Sequence, residues 1–495
     1  MFAFAAHVSV AVVSMLAIPF YLRLMGREAY GLVGFYFVLQ IWMQLLDLGV
    51  SPALGRQLSR FKAGALRAED AASLLGAAEA FCLLGGLAAG MACFVSTDWL
   101  AEHWLGRSRL PASEIDLTLR LVGCLLVFRW LTGLYQNALI GLERQIGVNV
   151  VALVGGIARN VGAVAGLILV SPSPTVFFAI WAGITLLEAL ASRLLLFRAM
   201  PRMAIHWRRG AGLLAKEFGF AAGVTLSYAI TTAVAQVDKL TLSHTLPLGD
   251  FGVFSLVISI CAGISLIVPP TVQAFQPRLT TLLAQGRRPE FVEVYRLSIS
   301  LIIAVAGGLA GAIAAWPELV VYTWTGDREV ASHLAPTLTL FALGSGIASF
   351  LYLPYILQFA QGFIRLHVIG TVIFGALWIP AAVWAAYTYG TIGAGAVWLS
   401  GNLLFLLLWV PIVHRRLLSP DERHGLSREA WLRVALLGGI LIATHLIDAS
   451  RFDRFGSLCL LAVTSLTVMA VATLLSRELR AYFSGMIGYS GVFSR

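Results

Sequence analysis

The residues best placed to do chemistry are two arginines, Arg129 and Arg159, that sit deep inside apolar stretches. A guanidinium carries five donors in a planar fork and grips phosphate-like oxygens two at a time. Two of them at similar depth on adjacent segments suggest a site for an anion. Trp130, Tyr135, Gln136 and Asn137 follow Arg129 and offer aromatic surface and amide groups. The competing expectation is plain charge balance, with each arginine held by a carboxylate such as Glu188 or by backbone carbonyls. Five ionisable groups besides the two arginines stand in or beside apolar runs. Asp47 and Glu188 are candidates for coupling to a proton or sodium ion. Asp238 and Lys239 form either a local charge balance or a latch that gates a cavity. Arg193, near the inner end of its span, is expected to snorkel to the cytoplasmic interface.

These side chains need elements to hold them, and the composition says which. The 495 residues are 59% hydrophobic and only 12% charged, with a mean hydropathy of +0.85. Apolar stretches of about 20 residues, each enough to cross a hydrocarbon core, succeed one another almost to the end. Unpaired backbone groups are not tolerated in lipid, so such stretches must be helices. The predicted spans of the first half are 2–22, 29–54, 71–95, 117–139, 147–170 and 175–197. Those of the second half are 218–242, 251–275, 295–321, 335–359, 364–387, 393–413, 431–447 and 456–475. No cleavable leader is evident, so the first of these reads as a true span that starts abruptly at Met1, with a few residues possible upstream.

The formal charge of +10 could suggest nucleic acid, but the excess basic residues lie in short joints between spans rather than in a stripe. The basic joints are 56–67, 198–216, 278–296 and 415–433, and the alternate loops are neutral or acidic. By the positive-inside rule, both termini and the basic joints are cytoplasmic. The five cysteines (Cys82, Cys93, Cys124, Cys261, Cys459) form no CxxC pair and read as small packing residues. The nine histidines show no metal-ligand spacing, and there is no Walker A sequence. No metal or cofactor is expected. Pro269-Pro270, Pro354 and Pro380 should bend later spans, and Gly86/Gly90 and Gly307/Gly311 should let helices approach closely.

The long basic joint divides the chain into a 1–197 lobe, a 198–217 linker and a 218–413 lobe. A cytoplasmic loop over 414–430, two further helices over 431–475 and a tail over 476–495 follow. A short internal repeat supports the division: Arg56 to Gly64 matches Arg278 to Gly286. Matched helices point the same way, an arrangement of parallel repeats used by transporters.

Several motifs carry a family likeness. Ile18-Pro19-Phe20-Tyr21-Leu22, Leu24-Met25-Gly26-Arg27-Glu28-Ala29-Tyr30-Gly31-Leu32 and Leu46-Asp47-Leu48-Gly49-Val50-Ser51-Pro52-Ala53-Leu54 stand in that order. Leu139-Ile140-Gly141-Leu142-Glu143-Arg144-Gln145, Gln236-Val237-Asp238-Lys239-Leu240 and Leu246-Pro247-Leu248-Gly249-Asp250-Phe251-Gly252 follow. Together they resemble the polysaccharide flippases of the multidrug/oligosaccharidyl-lipid/polysaccharide exporter superfamily. The likeness covers residues 10–290 by motif and the rest by hydropathy. It implies an all-α polytopic membrane protein of about 14 transmembrane helices. Two six-helix lobes plus two C-terminal helices would form a V-shaped alternating-access bundle in the bacterial plasma (inner) membrane. It also implies a polyprenyl-pyrophosphate-linked oligosaccharide as substrate, whose pyrophosphate Arg129 and Arg159 would hold. A polysaccharide polymerase and a chain-length regulator are the implied partners, with membrane lipids around the chain. A multidrug or cation antiporter of the same fold, and a membrane enzyme acting on lipid-linked sugars, are the alternatives. The antiporter would favour acidic groups, and the enzyme would need carboxylates on a large outer loop.

Overall fold

The computed structural model describes residues 2–99, 110–200, 206–423, 426, 435–436, 438–439, 441 and 453–481. Every regular element among them is helical. Ten of these helices are long and apolar enough to cross a membrane. Two of the ten carry a glycine whose backbone is not helical. Leu366–Leu417 has 52 residues, about 78 Å of helix against about 30 Å of hydrocarbon. It is broken at Gly390, whose φ of 60° and ψ of −139° no helix contains. Ser9–Met43 is broken in the same way at Gly26, φ 84°. Both breaks fall between pairs of predicted spans, so the spans are present even where the helices run together. The predicted span 431–447 lies mostly outside the described residues, and the loop 100–109 and the tail beyond Ala481 lie wholly outside them.

The elements that matter below are α1 (Phe2–Leu45), α2 (Val50–Lys62), α3 (Ala68–Val95), α4 (Ala112–Gly141), α5 (Gln145–Leu169), α6 (Pro174–Ala199) and α7 (Trp207–Thr245). They continue with α8 (Leu248–Ile264), α9 (Val268–Ala284), α10 (Arg288–Ile302), α11 (Gly308–Ala315), α12 (Pro317–Thr325), α13 (Arg328–Ala360), α14 (Ile364–Leu404), α15 (Val410–Leu417) and α16 (Arg454–Leu475). Packing separates the chain into two compact units, Met1–Ser255 and Leu256–Arg495. The helix α7 and the opening of α8 fall with the first.

Four spans that read as continuous are interrupted among the described residues, the twelfth by a π segment at Phe405–Trp409. The second is cut at Leu46–Gly49, where Leu48 (φ 48°) and Gly49 (φ 77°) turn left-handed in succession. The eighth passes through a 3-10 turn at Ser265–Ile267 before the prolines, which then occupy the first turn of α9. That position tolerates proline because its missing N–H has no helical partner to lose. The ninth holds a π segment, Ile303–Gly307. Pro354 lies inside α13 and Pro380 inside the part of α14 before its break at Gly390.

The internal repeat extends beyond the motif that suggested it. Helix α2 ends at a left-handed Gly64, with the Ala65 N–H donating to the Arg60 carbonyl at 2.8 Å. Helix α9 ends the same way at Gly286, where Arg287 donates to Leu282 at 3.0 Å. The α4–α5 joint turns left-handed at Glu143 and the α13–α14 joint at Gly362, each closed by a 2.9 Å bond of the same type. These are the satisfied carbonyl caps that glycine usually supplies. A threonine pair ties each half as well: Thr118 to Thr175 at 3.2 Å, and Thr337 to Thr391 at 3.0 Å.

Candidate functional site

In the first unit, α4, α5 and α6 pack closely and place three charged groups together. Glu188 on α6 is 4% exposed and accepts a hydrogen bond from Nη1 of Arg159 on α5. Nη1 of Arg129 on α4 lies 3.6 Å from the other carboxylate oxygen. The three groups carry one net positive charge. Arg159 is mostly enclosed, at 14% exposure, whereas Arg129 is 39% exposed. The approach depends on Gly155, because a Cβ there would overlap the Glu188 carboxylate. Beside Arg159, Asn160 accepts from the Tyr21 hydroxyl at 3.0 Å and donates to Ser14 Oγ at 3.0 Å. This ties α5 to α1.

The neighbours of Arg129 hold the surrounding helices in place. Trp130 is buried and donates through Nε1 to Asp47 Oδ1 at 3.0 Å. Asp47 also accepts from Ser51 Oγ at 2.6 Å and from the Ser51 N–H at 3.0 Å, closing the break that begins α2. A Cβ at Gly85 of α3 would stand 2.9 Å from the Trp130 ring, so the indole is wedged between helices. Tyr135 donates to Glu79 Oε1 at 2.6 Å, and Arg193 Nε donates to the same oxygen at 2.7 Å. Arg193 is therefore paired with α3 as well as half-exposed. Asn137 donates to the Gly133 carbonyl, and Gln136 is half-buried.

Asp238 and Lys239 form a separate pair on α7. Lys239 Nζ lies 3.3 Å from Asp238 Oδ1 and also donates to the Ala235 carbonyl. Asp238 is buried, and its Oδ2 is enclosed without a hydrogen-bond partner.

Two participants escaped the sequence reading. Glu79 was a single carboxylate in an apolar run, and its depth alone was a sufficient signal. Asn160 had no signal beyond standing next to Arg159. The glycine pairs divide. A Cβ at Gly86 or Gly90 would stand 3.2 Å from Val127 and one at Gly311 2.3 Å from Leu441, whereas a Cβ at Gly307 would meet only Ile303 of its own helix, at 4.0 Å. Gly307, the last residue of the π segment, is thus open. Among the described residues no cluster of histidine, cysteine or carboxylate side chains could hold a metal.

No protein-family model matches the chain, and no curated sequence matches it. Solved structures do. The lipid II flippase MurJ in an inward closed conformation superposes with a TM-score of 0.71 at 11% identity, covering 98% of this chain and 100% of that one. An inward-facing multidrug resistance MATE transporter of the MOP superfamily gives 0.63 at 13% identity, covering 84% and 96%. The MATE multidrug transporter DinF-BH gives 0.61 at 15% identity, covering 84% and 93%. The chain has the all-α polytopic fold of these transporters. It is accordingly a multi-pass membrane protein, and Arg129, Arg159 and Glu188 lie on helices of its spans.

Proposed function

We propose that this chain is a flippase that carries a polyprenyl-pyrophosphate-linked oligosaccharide from the cytoplasmic to the outer leaflet of the bacterial plasma membrane, for surface polysaccharide assembly. The observation that carries the reading is the stoichiometry of charge: two arginines share one carboxylate, and the more exposed arginine is the less tightly held. A charge near the bilayer centre costs at least about 2.5–3.5 kcal/mol on insertion scales. An anion that pairs with Arg129 offsets that cost, and the donors Arg129 does not spend on Glu188 are free to grip phosphate oxygens. A membrane potential that is negative inside favours outward movement of an anionic head group, by about 2.3 kcal/mol per charge per 100 mV.

The fold likeness to a lipid II flippase over the full length of both chains supports a lipid-linked substrate. The MATE likeness leaves a cation antiporter as the rival. A site with an excess of arginine over carboxylate repels cations and so speaks against it. Under this reading both termini and the basic joints are cytoplasmic. The 1–197 and 218–413 lobes rock about the 198–217 linker. Asp47 and the Asp238–Lys239 pair serve gating or ion coupling, and the polymerase and chain-length regulator act on the delivered glycan.

The test is export of lipid-linked glycan in cells carrying variants. Arg129→Ala should leave protein level intact and abolish export, and Arg129→Lys should restore only part, since the charge survives without the fork. Glu188→Gln should lower protein level through Arg159 yet leave export per folded molecule largely in place. Full export from a well-expressed Arg129→Ala/Arg159→Ala chain would refute the anion site and favour the cation antiporter.

A further inference from the structure

The second unit contains a cavity of about 760 Å³ that the proposed transport site does not use. Its walls are apolar: Ile299, Ile303 and Gly307 on one side, Leu343 behind, Leu407 and Pro411 on the other. Two π segments border it, Ile303–Gly307 and Phe405–Trp409. A π turn widens a helix and is found often at functional positions. Leu343, Leu407 and Pro411 are exposed, so the wall opens toward the surroundings of the helices. In a bilayer those surroundings are lipid.

The two ends of the slot differ. One end carries Arg415, Arg423 and His414. The His414 ring is occupied, 3.0 Å from the Tyr295 hydroxyl. Arg423 Nε is enclosed and has no hydrogen-bond partner. Arg415 is exposed, and no ion pair among the described residues engages either arginine. From Ile299 to Gly311, and again from Leu403 to Arg415, the lining runs along about 18 Å of helix. That is close to the half-thickness of a hydrocarbon core of about 30 Å. The slot therefore has the length of one leaflet, an apolar body and a cationic mouth at a basic joint.

We propose that this slot holds an anionic phospholipid of the leaflet bordering the basic joint, its acyl chain against Gly307 and its phosphate on Arg415 and Arg423. A polyprenyl chain, many times longer than one leaflet is thick, fits the dimensions poorly. The lipid is a resident of the second unit, distinct from the cargo assigned to Arg129 and Arg159. The unpartnered Nε of Arg423 and the exposed guanidinium of Arg415 at the mouth supply selectivity for phosphate diesters with net negative charge over zwitterions. Gly307 leaves the space for the chain, and a larger side chain there would fill it.

The experiment measures retention of spin-labelled phosphatidylglycerol and phosphatidylcholine by the full chain reconstituted in nanodiscs. Wild type should immobilise phosphatidylglycerol about tenfold more strongly, since each basic group near the surface contributes to anion binding. Arg415→Gln/Arg423→Gln should remove that preference. Gly307→Leu should reduce the immobilised fraction of both lipids, with elution and helical signal unchanged. Arg129→Ala should leave the preference intact, which separates this site from the transport site. Inorganic phosphate at millimolar concentration should not displace the lipid. Equal retention of the two lipids by wild type, or an unaltered immobilised fraction in Gly307→Leu, would overturn the proposal. So would displacement by stoichiometric polyprenyl phosphate, which would give the slot to the transported lipid, or displacement by free phosphate, which would reduce it to a surface anion site.

Discussion

The two units repeat one another in scaffold and differ in chemistry. Thr118 and Thr337 occupy matching places in α4 and α13, and Glu143 and Gly362 close matching joints; both pairs are 219 residues apart. At that offset Arg129 corresponds to Ala348 and Arg159 to Trp378. Thr175 and Thr391 are 216 apart, which sets Leu404 opposite Glu188. Where the first unit has three charges, the second has an aromatic cluster: Trp378 packs on Phe374 at 4.4 Å and on Trp398 at 5.6 Å, with Phe405 5.0 Å from Phe374. The same helix geometry thus accommodates a charged network or a stack of rings. What is duplicated is the set of caps and bridges that fixes the helices, and it leaves the facing side chains free to diverge.

The largest expected effect comes from deleting the shared carboxylate. Glu188→Leu strands Arg159 in an enclosed site, a loss of about 3–5 kcal/mol when a buried pair is broken. Leu404→Ala at the matching, exposed position should cost no more than about 0.5 kcal/mol. Thermal unfolding of the purified variants measures both, and comparable losses would mean that the triad is not the keystone of its unit. Next is Gly155→Ala, whose Cβ would displace the Glu188 carboxylate; overpacking of this kind costs about 1–3 kcal/mol. Phe374 stands at the matching position, so Phe374→Ala should instead open space and loosen the ring cluster. If Gly155→Ala unfolds at the wild-type temperature, the close approach of α5 and α6 is not needed.

The threonine bridges sharpen the likeness rather than the difference. Thr118→Ala and Thr337→Ala should each cost about 0.6 kcal/mol, the average for such bonds between membrane helices, and the two should agree within error. A large loss at only one of them would show that the repeat is geometric but not energetic. The smallest effect concerns the ion pair at the start of α10, where the first unit joins the start of α3 to its own basic joint through Asp70 and Arg209 with the signs reversed. Glu422 receives both Nε and Nη2 of Arg288 at 2.9 Å. These bonds, with a further one from the Ser419 N–H, hold its carboxyl down at about 2, against an ordinary value of 4.5. A depressed carboxyl contributes stability that is fully present above its unfolded value and lost as pH falls toward its folded one. Between pH 5 and pH 2 the unfolding temperature of wild type should therefore fall more steeply than that of Glu422→Gln. Parallel slopes would remove Glu422 from the account.

Much of the architecture was legible because lipid imposes a strict rule. Each run of about 20 apolar residues had to become a helix, whatever it packed against. The joints at Gly26 and Gly390 were legible too, since glycine is where a chain turns left-handed at least cost. The breaks at Leu48 and Ile303 were not: neither residue type signals left-handed or π geometry, and each conformation is imposed by what surrounds it. Arg129 and Arg159 stood out by depth alone, as charges in an apolar run always do. Glu188 was the partner that the sequence offered for either arginine, but its holding both at once, the engagement of Trp130 by Asp47 and the pairing of Glu79 with both Tyr135 and Arg193 came only with the tertiary structure. A charge in an apolar helix announces that it needs a partner, but which partner depends on the rotation and spacing of helices distant in sequence. For Glu188 that spacing rests on the absence of a side chain at Gly155, a fact about the neighbouring helix and not about the charge itself.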